Sequence, residues 1–182
     1  MIFHKEKGFT LIESIIAMVI IGFAMVTLIS FLYPQIERSA TPHYQTRAAN
    51  LGQSLMSQIL ARGFDENSDP DGGLIRCGEE GTSCTASDDL GRDGTESLPS
   101  QFNDVDDYIG CWYTDSVNDC SGVTPASPLS NILGVDTVSK YTHFTVIVTV
   151  GYAYSGSMKK VNLSIDTGRY GEFEFVGFRG NY

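Results

Sequence analysis

The chain has 182 residues, of which 42% are hydrophobic and 19% charged, and carries a net charge of −10. That length suits one globular domain with an appendage. So acidic a surface repels phosphate backbones, which argues against DNA or RNA as a direct ligand.

The average conceals a sharp division. The opening MIFHKEKG holds Lys5 and Lys7 against Glu6, a charge of +1, so the chain from Phe9 onward carries −11. Residues 9–33, FTLIESIIAMVIIGFAMVTLISFLY, then contain a single charged side chain, Glu13. As a helix this stretch is roughly 37 Å long at ~1.5 Å per residue, enough to cross a hydrocarbon core of about 30 Å with some tilt. The basic flank keeps the N-terminus on the cytoplasmic side and sends the remainder across. The apolar run is too long for a secretory signal peptide, and no small-residue cleavage site follows it.

Pro34 and Pro42 each remove a helix hydrogen bond and are expected to kink or interrupt the helix. The helical pattern then resumes in PHYQTRAANLGQSLMSQILARGF. There Ala48, Leu51, Leu55 and Ile59 make one apolar stripe, with Met56 and Leu60 beside it. Gly63, after Arg62, reads as a C-terminal glycine stop. The stripe needs a partner surface.

Residues 64–138 are rich in Gly, Ser, Asp, Asn and Pro and predict irregular structure with short strands or turns. From Tyr141 the pattern alternates. Phe144, Val146, Val148, Val150, Tyr152 and Tyr154 share one strand face, and Val161, Leu163 and Ile165 share another beyond the SGS turn. A second turn, TGRYG, leads into EFEFVGFRGNY. The expected fold is therefore α+β, a long helix covered by an antiparallel meander over 141–178.

Four cysteines, Cys77, Cys84, Cys111 and Cys120, fall in the part expected outside the cell membrane, where an even number implies disulfides with three possible connectivities. Cys77 with Cys84 and Cys111 with Cys120 are the favoured pairs, because each closes a short polar loop. Zinc fits poorly, since no histidine neighbours these cysteines.

Asn67, Asp69, Asp71 and Gly72 follow the start of a calcium-loop pattern, yet the twelfth position is Gly78 rather than a bidentate acid, so a solvated acidic loop is the preferred reading. Asp104, Asp106 and Asp107 pose the same choice between binding calcium and capping a turn. His4 lies in the leader, His43 follows a proline, and His143 is placed on a strand, which gives no spacing for a catalytic triad. Trp112, with Tyr108 and Tyr113, offers either a sugar-stacking face or an aromatic cluster around Cys111. No enzymatic activity and no cofactor are expected.

An isolated carboxylate within hydrocarbon costs on the order of 2.5–3.5 kcal/mol on insertion scales, so Glu13 calls for a partner. Gly8 followed by Phe-Thr-Leu-Ile-Glu at the head of an apolar run resembles the processing site of type IV prepilins. The resemblance implies cleavage between Gly8 and Phe9 by a membrane-embedded prepilin peptidase, N-methylation of Phe9, and pairing of Glu13 with the N-terminal ammonium of a neighbouring subunit. Gly22 also falls where pilin helices often carry glycine, whereas Ser30 stands where many major pilins have proline. Further along, ANLGQSLMSQILARGFDENSD, QFNDVDDYIGCW, KKVNLSI and the terminal FRGNY look like minor subunits of the mannose-sensitive haemagglutinin pilus.

On that resemblance the expected organisation is a leader at 1–8, a transmembrane and filament-core helix at 9–33, an amphipathic continuation at 34–63 and an extracytoplasmic region at 64–182. The protein is expected to sit in a bacterial inner membrane as a single-pass precursor facing the periplasm, and then in a surface pilus. Its expected partners are other pilin subunits, the peptidase and membrane lipid. The rival readings are a pseudopilin of a type II secretion system and a pilus-tip adhesin.

Overall fold

A computed structural model describes residue 8 and residues 10–69, 76–79 and 81–182, with side chains at all of these except 36–38 and 40. The chain divides into two compact units, Met1–His43 and Tyr44–Tyr182. The long helix α1 spans Leu11–Leu60 and contributes to both.

Through most of its length in the first unit, Glu13 apart, α1 is apolar on every face. Leu11–Gln35 is 25 residues long, with the length and composition needed to cross a membrane. Its large side chains are exposed, Leu11, Met18 and Phe23 among them, which is how a helix looks when lipid or another helix is its intended solvent. Pro34 and Pro42 lie inside α1 and do not end it. Each proline costs one hydrogen bond, and a long helix with intact turns on either side absorbs that loss.

In the second unit the same helix turns amphipathic. Ala48, Leu51, Leu55 and Ile59 are all buried to within 1% of complete, each of the larger ones worth about 1.5–3 kcal/mol of hydrophobic transfer. They pack in one cluster with Phe144, Val146 and Val148 of β3 (Thr145–Tyr154) and its lead-in, and with Val161, Leu163 and Ile165 of β4 (Met158–Asp166). With β5 (Glu172–Gly180) these strands form an antiparallel meander. The helix and sheet approach closely where glycine removes a side chain. A Cβ on Gly177 of β5 would stand 2.5 Å from Met56 Sδ, and one on Gly52 would stand 2.6 Å from the Phe175 ring.

Two further strands extend the sheet to the order β2-β1-β3-β4-β5. β1 (Gly110–Tyr113) runs antiparallel to β3, with Trp112 opposite Val146, while β2 (Ala126–Pro128) runs parallel to β1. These short strands arise in the segment expected to be irregular with short strands or turns. Two four-residue helices follow, α2 (Ser130–Leu133) and α3 (Val135–Val138).

Gly63 does not act as the left-handed helix stop expected of it. α1 ends at Leu60, and Gly63 forms a parallel bridge with Asp104, its N–H donating to Asn103 O at 2.9 Å and its carbonyl accepting from Val105 N at 3.1 Å. A Cβ there would meet Asn103 O at 3.1 Å, so glycine serves close backbone approach. His143 also differs from expectation. It lies in the turn before β3, at a φ of 65°, and its N–H and Nδ1 both engage Asp115 Oδ2, at 2.7 and 2.8 Å.

Candidate functional site

The start of α1 is built by its own first turn. Thr10 precedes the helix, and Glu13 N–H donates to Thr10 Oγ1 at 3.4 Å and to Thr10 O at 3.1 Å. Thr-Leu-Ile-Glu is thus an N-cap followed by an acid three residues on, the spacing of a capping box. That signal was available in the sequence and adds to the reading of Glu13. An anion in the first turn also faces the positive end of the helix dipole. The Glu13 side chain is exposed, and among the described residues it has no ion-pair partner. Gly8 is exposed with open space where a Cβ would go. Phe9 lies outside the described residues.

In the second unit the charged residues converge on Lys159, the first inward-facing position of β4. Its side chain is fully buried, with Nζ 3.1 Å from Asp65 Oδ2 and 2.5 Å from Asp106 Oδ1. The ammonium also lies 5.0 Å from the Phe64 ring centre and 5.5 Å from that of Tyr152. Asp65 Oδ2 accepts from Thr85 N at 3.0 Å, Asp65 Oδ1 accepts from Asn67 N at 3.2 Å, and Tyr152 OH donates to Thr85 O at 2.8 Å. Burial pushes the Asp65 carboxyl up, but the Lys159 charge and these donors outweigh it and hold it below the usual carboxylate range. The network fastens the chain after α1, around Asp65 and Thr85, to the sheet.

Asp104, Asp106 and Asp107 are all buried and build the turn that enters β1. Asp104 Oδ1 accepts from Asp106 N at 2.9 Å and from Asp107 N at 3.3 Å, while Asp107 Oδ2 accepts from Asn103 N at 2.9 Å and from Asp104 N at 3.1 Å. Burial and the neighbouring charges of Asp106 and Asp107 push the Asp104 carboxyl up to about 9. Asp93, Glu96 and Asp107 bring one carboxylate oxygen each within 4.8 Å of the others. Burial, then the charges of Glu66 and Asp107, raise Asp93. Burial, then a side-chain hydrogen bond to Asp107 and the Asp107 charge, pushes Glu96 up to about 7.

Of the calcium-loop candidates, Asn67 and Asp69 are exposed, Asn67 serving Asp65 as a donor, and Asp71 lies outside the described residues. Asp93 and Glu96 had no spacing signal in the sequence, because the loop alone brings them to Asp107. The cysteines pair as Cys77–Cys84 and Cys111–Cys120. Trp112 is 1% exposed and its Nε1–H donates to Tyr108 O at 3.0 Å, so its ring belongs to the core and offers no sugar-stacking face.

Residues 3–29 match the family model described as the prokaryotic N-terminal methylation motif. No curated protein and no solved structure gave a significant match. A methylation motif of the type IV prepilin kind, an apolar helix long enough to span a membrane, and an α+β unit holding two disulfides together give the chain a type IV pilin-like architecture.

Proposed function

We propose that this chain is a structural subunit of a type IV pilus, made as a membrane-inserted prepilin. The observation that carries the reading is the exposed Glu13, without an ion-pair partner among the described residues, in the first turn of an otherwise apolar helix and within the methylation motif. A prepilin peptidase cleaves between Gly8 and Phe9 on the cytoplasmic side and the new Phe9 amine is methylated. The Glu13 carboxylate of one subunit then pairs with the Phe9 ammonium of the next as helices bundle. Each ion cancels the other's cost in a medium of low dielectric, which fixes axial register between subunits. The leader is residues 1–8, the filament-core segment 9–33, its amphipathic continuation 34–63 and the periplasmic, later surface-exposed, region 64–182.

The finer assignment is a minor subunit of a pilus of the mannose-sensitive haemagglutinin kind, with adhesion a property of the filament. Support for it is the likeness of the 49–69, 101–112 and 159–165 stretches to minor pilins of that system. The methylation motif suits a type II secretion pseudopilin equally. Deletion separates the two, since loss of surface pili with secretion intact supports the pilus and the reverse supports the pseudopilus.

The direct test uses two variants in the native host. Gly8→Ala leaves the precursor uncleaved on a gel and unmethylated by mass spectrometry. Glu13→Val is cleaved normally but fails to enter sheared filaments. Wild-type incorporation of the Glu13→Val protein overturns the register role.

A further inference from the structure

The loop that precedes β1 concentrates negative charge that forms no ion pair among the described residues. Asp93, Glu96 and Asp107 converge to within 4.8 Å, and Glu66 adds its charge to the same field. Asp107 is completely buried. Its Oδ2 is satisfied by two backbone N–H groups, but among the described residues no N–H donor reaches Asp107 Oδ1, Glu96 Oε2 or the side-chain oxygen of Asn103, all three buried, and the Glu96 and Asp107 carboxyls are left to share a proton with each other. Buried acceptors left this way are costly, and more so when charged.

The nearest cation does not resolve the deficit. Arg92 Nε donates to the Asp107 carbonyl at 3.2 Å and Nη1 to Ser127 Oγ at 3.1 Å, while the guanidinium carbon lies 5.0 Å from the Trp112 ring centre and 5.2 Å from that of Phe102. Among the described residues Arg92 forms no ion pair with these carboxylates. Asn103 is bound to Glu66 through its Nδ2 and to Asp107 through its backbone N, and its amide oxygen is buried without a donor among the described residues.

We propose that Asp93, Glu96 and Asp107 bind a calcium ion, with Asn103 Oδ1 as a neutral fourth oxygen. The donor set is hard oxygen alone, the chemistry of calcium or magnesium rather than of zinc. Oxygens on one calcium at 2.3–2.6 Å stand at most about 5 Å apart, whereas opposite ligands of magnesium at 2.0–2.1 Å stand about 4.2 Å apart in a strict octahedron. A spread of up to 4.8 Å lies inside calcium's reach, and the unequal exposure here suits its flexible coordination. Exposed Asp93 supplies the entry side and room for water, and buried Asp107 supplies the anchor. The ion ties the 93–103 loop to the turn that launches β1. The inference rests on the globular unit and is independent of the pilus reading.

The test uses the full chain in detergent micelles with calcium alone as the probe. Isothermal titration with CaCl2 gives one site with a dissociation constant of about 0.1–1 mM, the range of extracellular calcium modules, and thermal unfolding followed by circular dichroism moves up by a few degrees, reversed by a chelator. Magnesium binds at least tenfold more weakly. The double variant Asp93→Asn, Glu96→Gln changes only the more accessible ligands, keeps the fold and loses at least tenfold in calcium affinity, whereas Asp107→Asn risks the turn itself. No calcium-dependent shift at ~10 mM, an order of magnitude above that range, overturns the site. So does unchanged affinity in the double variant, or magnesium binding as tight as calcium.

Discussion

Lys159 Nζ stands 3.1 Å from Asp65 Oδ2 across 94 residues of sequence, with both side chains fully buried. Asp106 closes the other side of the same ammonium at 2.5 Å. Burying such ions yields little net stability against an apolar replacement of the whole set, but removing one member strands the rest. Lys159→Met deletes the shared cation and leaves two buried carboxylates. The expected loss is about 3–5 kcal/mol of unfolding free energy, read from the urea midpoint of the full chain in micelles. A loss below about 1 kcal/mol, the scale of an exposed ion pair, would show the ions to be solvated.

Asp65 also sets an acid limit. Its carboxyl is held below the ordinary value in the folded chain by Lys159 and by the Asn67 and Thr85 N–H groups, so the folded state binds this proton less readily than the unfolded state does. The stabilisation is therefore complete above an unfolded pKa of ~4 and drains away as pH falls through that value toward the lower, folded one. The unfolding midpoint should drop as the pH is lowered below about 4. In Asp65→Asn the drop below that pH should be shallower, and an identical pH profile for the two proteins would refute the assignment.

Gly177 of β5 lies directly against Met56 and Leu60 of α1. A side chain at Gly177 would begin 2.5 Å from Met56 Sδ and 3.1 Å from Leu60 Cδ1. Gly177→Val forces the helix off the sheet or Met56 out of its rotamer, at a cost of about 1–3 kcal/mol for overpacking. Met56 is flexible, so shortening it makes room. Met56→Ala in the Gly177→Val background should recover part of the loss in a thermal melt. Absence of any recovery would mean that the strain comes from the β5 backbone instead.

The apolar run, the stripe at Ala48, Leu51, Leu55 and Ile59, and the three long strands were legible because each is a local periodicity that burial enforces. Glu13 stood out as a charge in an apolar context. Lys159 was not legible, although the period that places Val161, Leu163 and Ile165 inward also places it inward. At the start of a strand a lysine reads as solvated, and its partners Asp65 and Asp106 are 94 and 53 residues away. Short strands were expected within 64–138, but β1 and β2 could not be placed there because strands of 4 and 3 residues are too short to establish alternation. Their pairing follows from β3 and from the Cys111–Cys120 bridge. The Asp93, Glu96 and Asp107 cluster depends on loop geometry, which no residue spacing encodes.

The two disulfides separate a structural staple from a local one. Both close short loops, with sequence separations of 7 and 9, and a chain-entropy account gives each about 2.5 kcal/mol. Their surroundings differ. Cys111 is fully buried in β1, next to Trp112 and between β2 and β3, and Cys120 is 1% exposed. Cys77 is also buried, where its carbonyl accepts from Asn181 Nδ2 at 2.9 Å, but Cys84 is only half-buried. Replacing Cys111 and Cys120 by serine therefore places a hydroxyl within the core beside Trp112 and adds a burial penalty of about 1–3 kcal/mol to the lost loop constraint. Trp112 is the single tryptophan of the chain, so its emission reports on this region alone. The Cys111→Ser, Cys120→Ser protein should unfold at markedly lower urea than the Cys77→Ser, Cys84→Ser protein and show red-shifted, acrylamide-quenchable emission. The latter should keep the blue-shifted emission of a buried indole, and equal spectra in the two variants would show that β1 holds its place without its bridge.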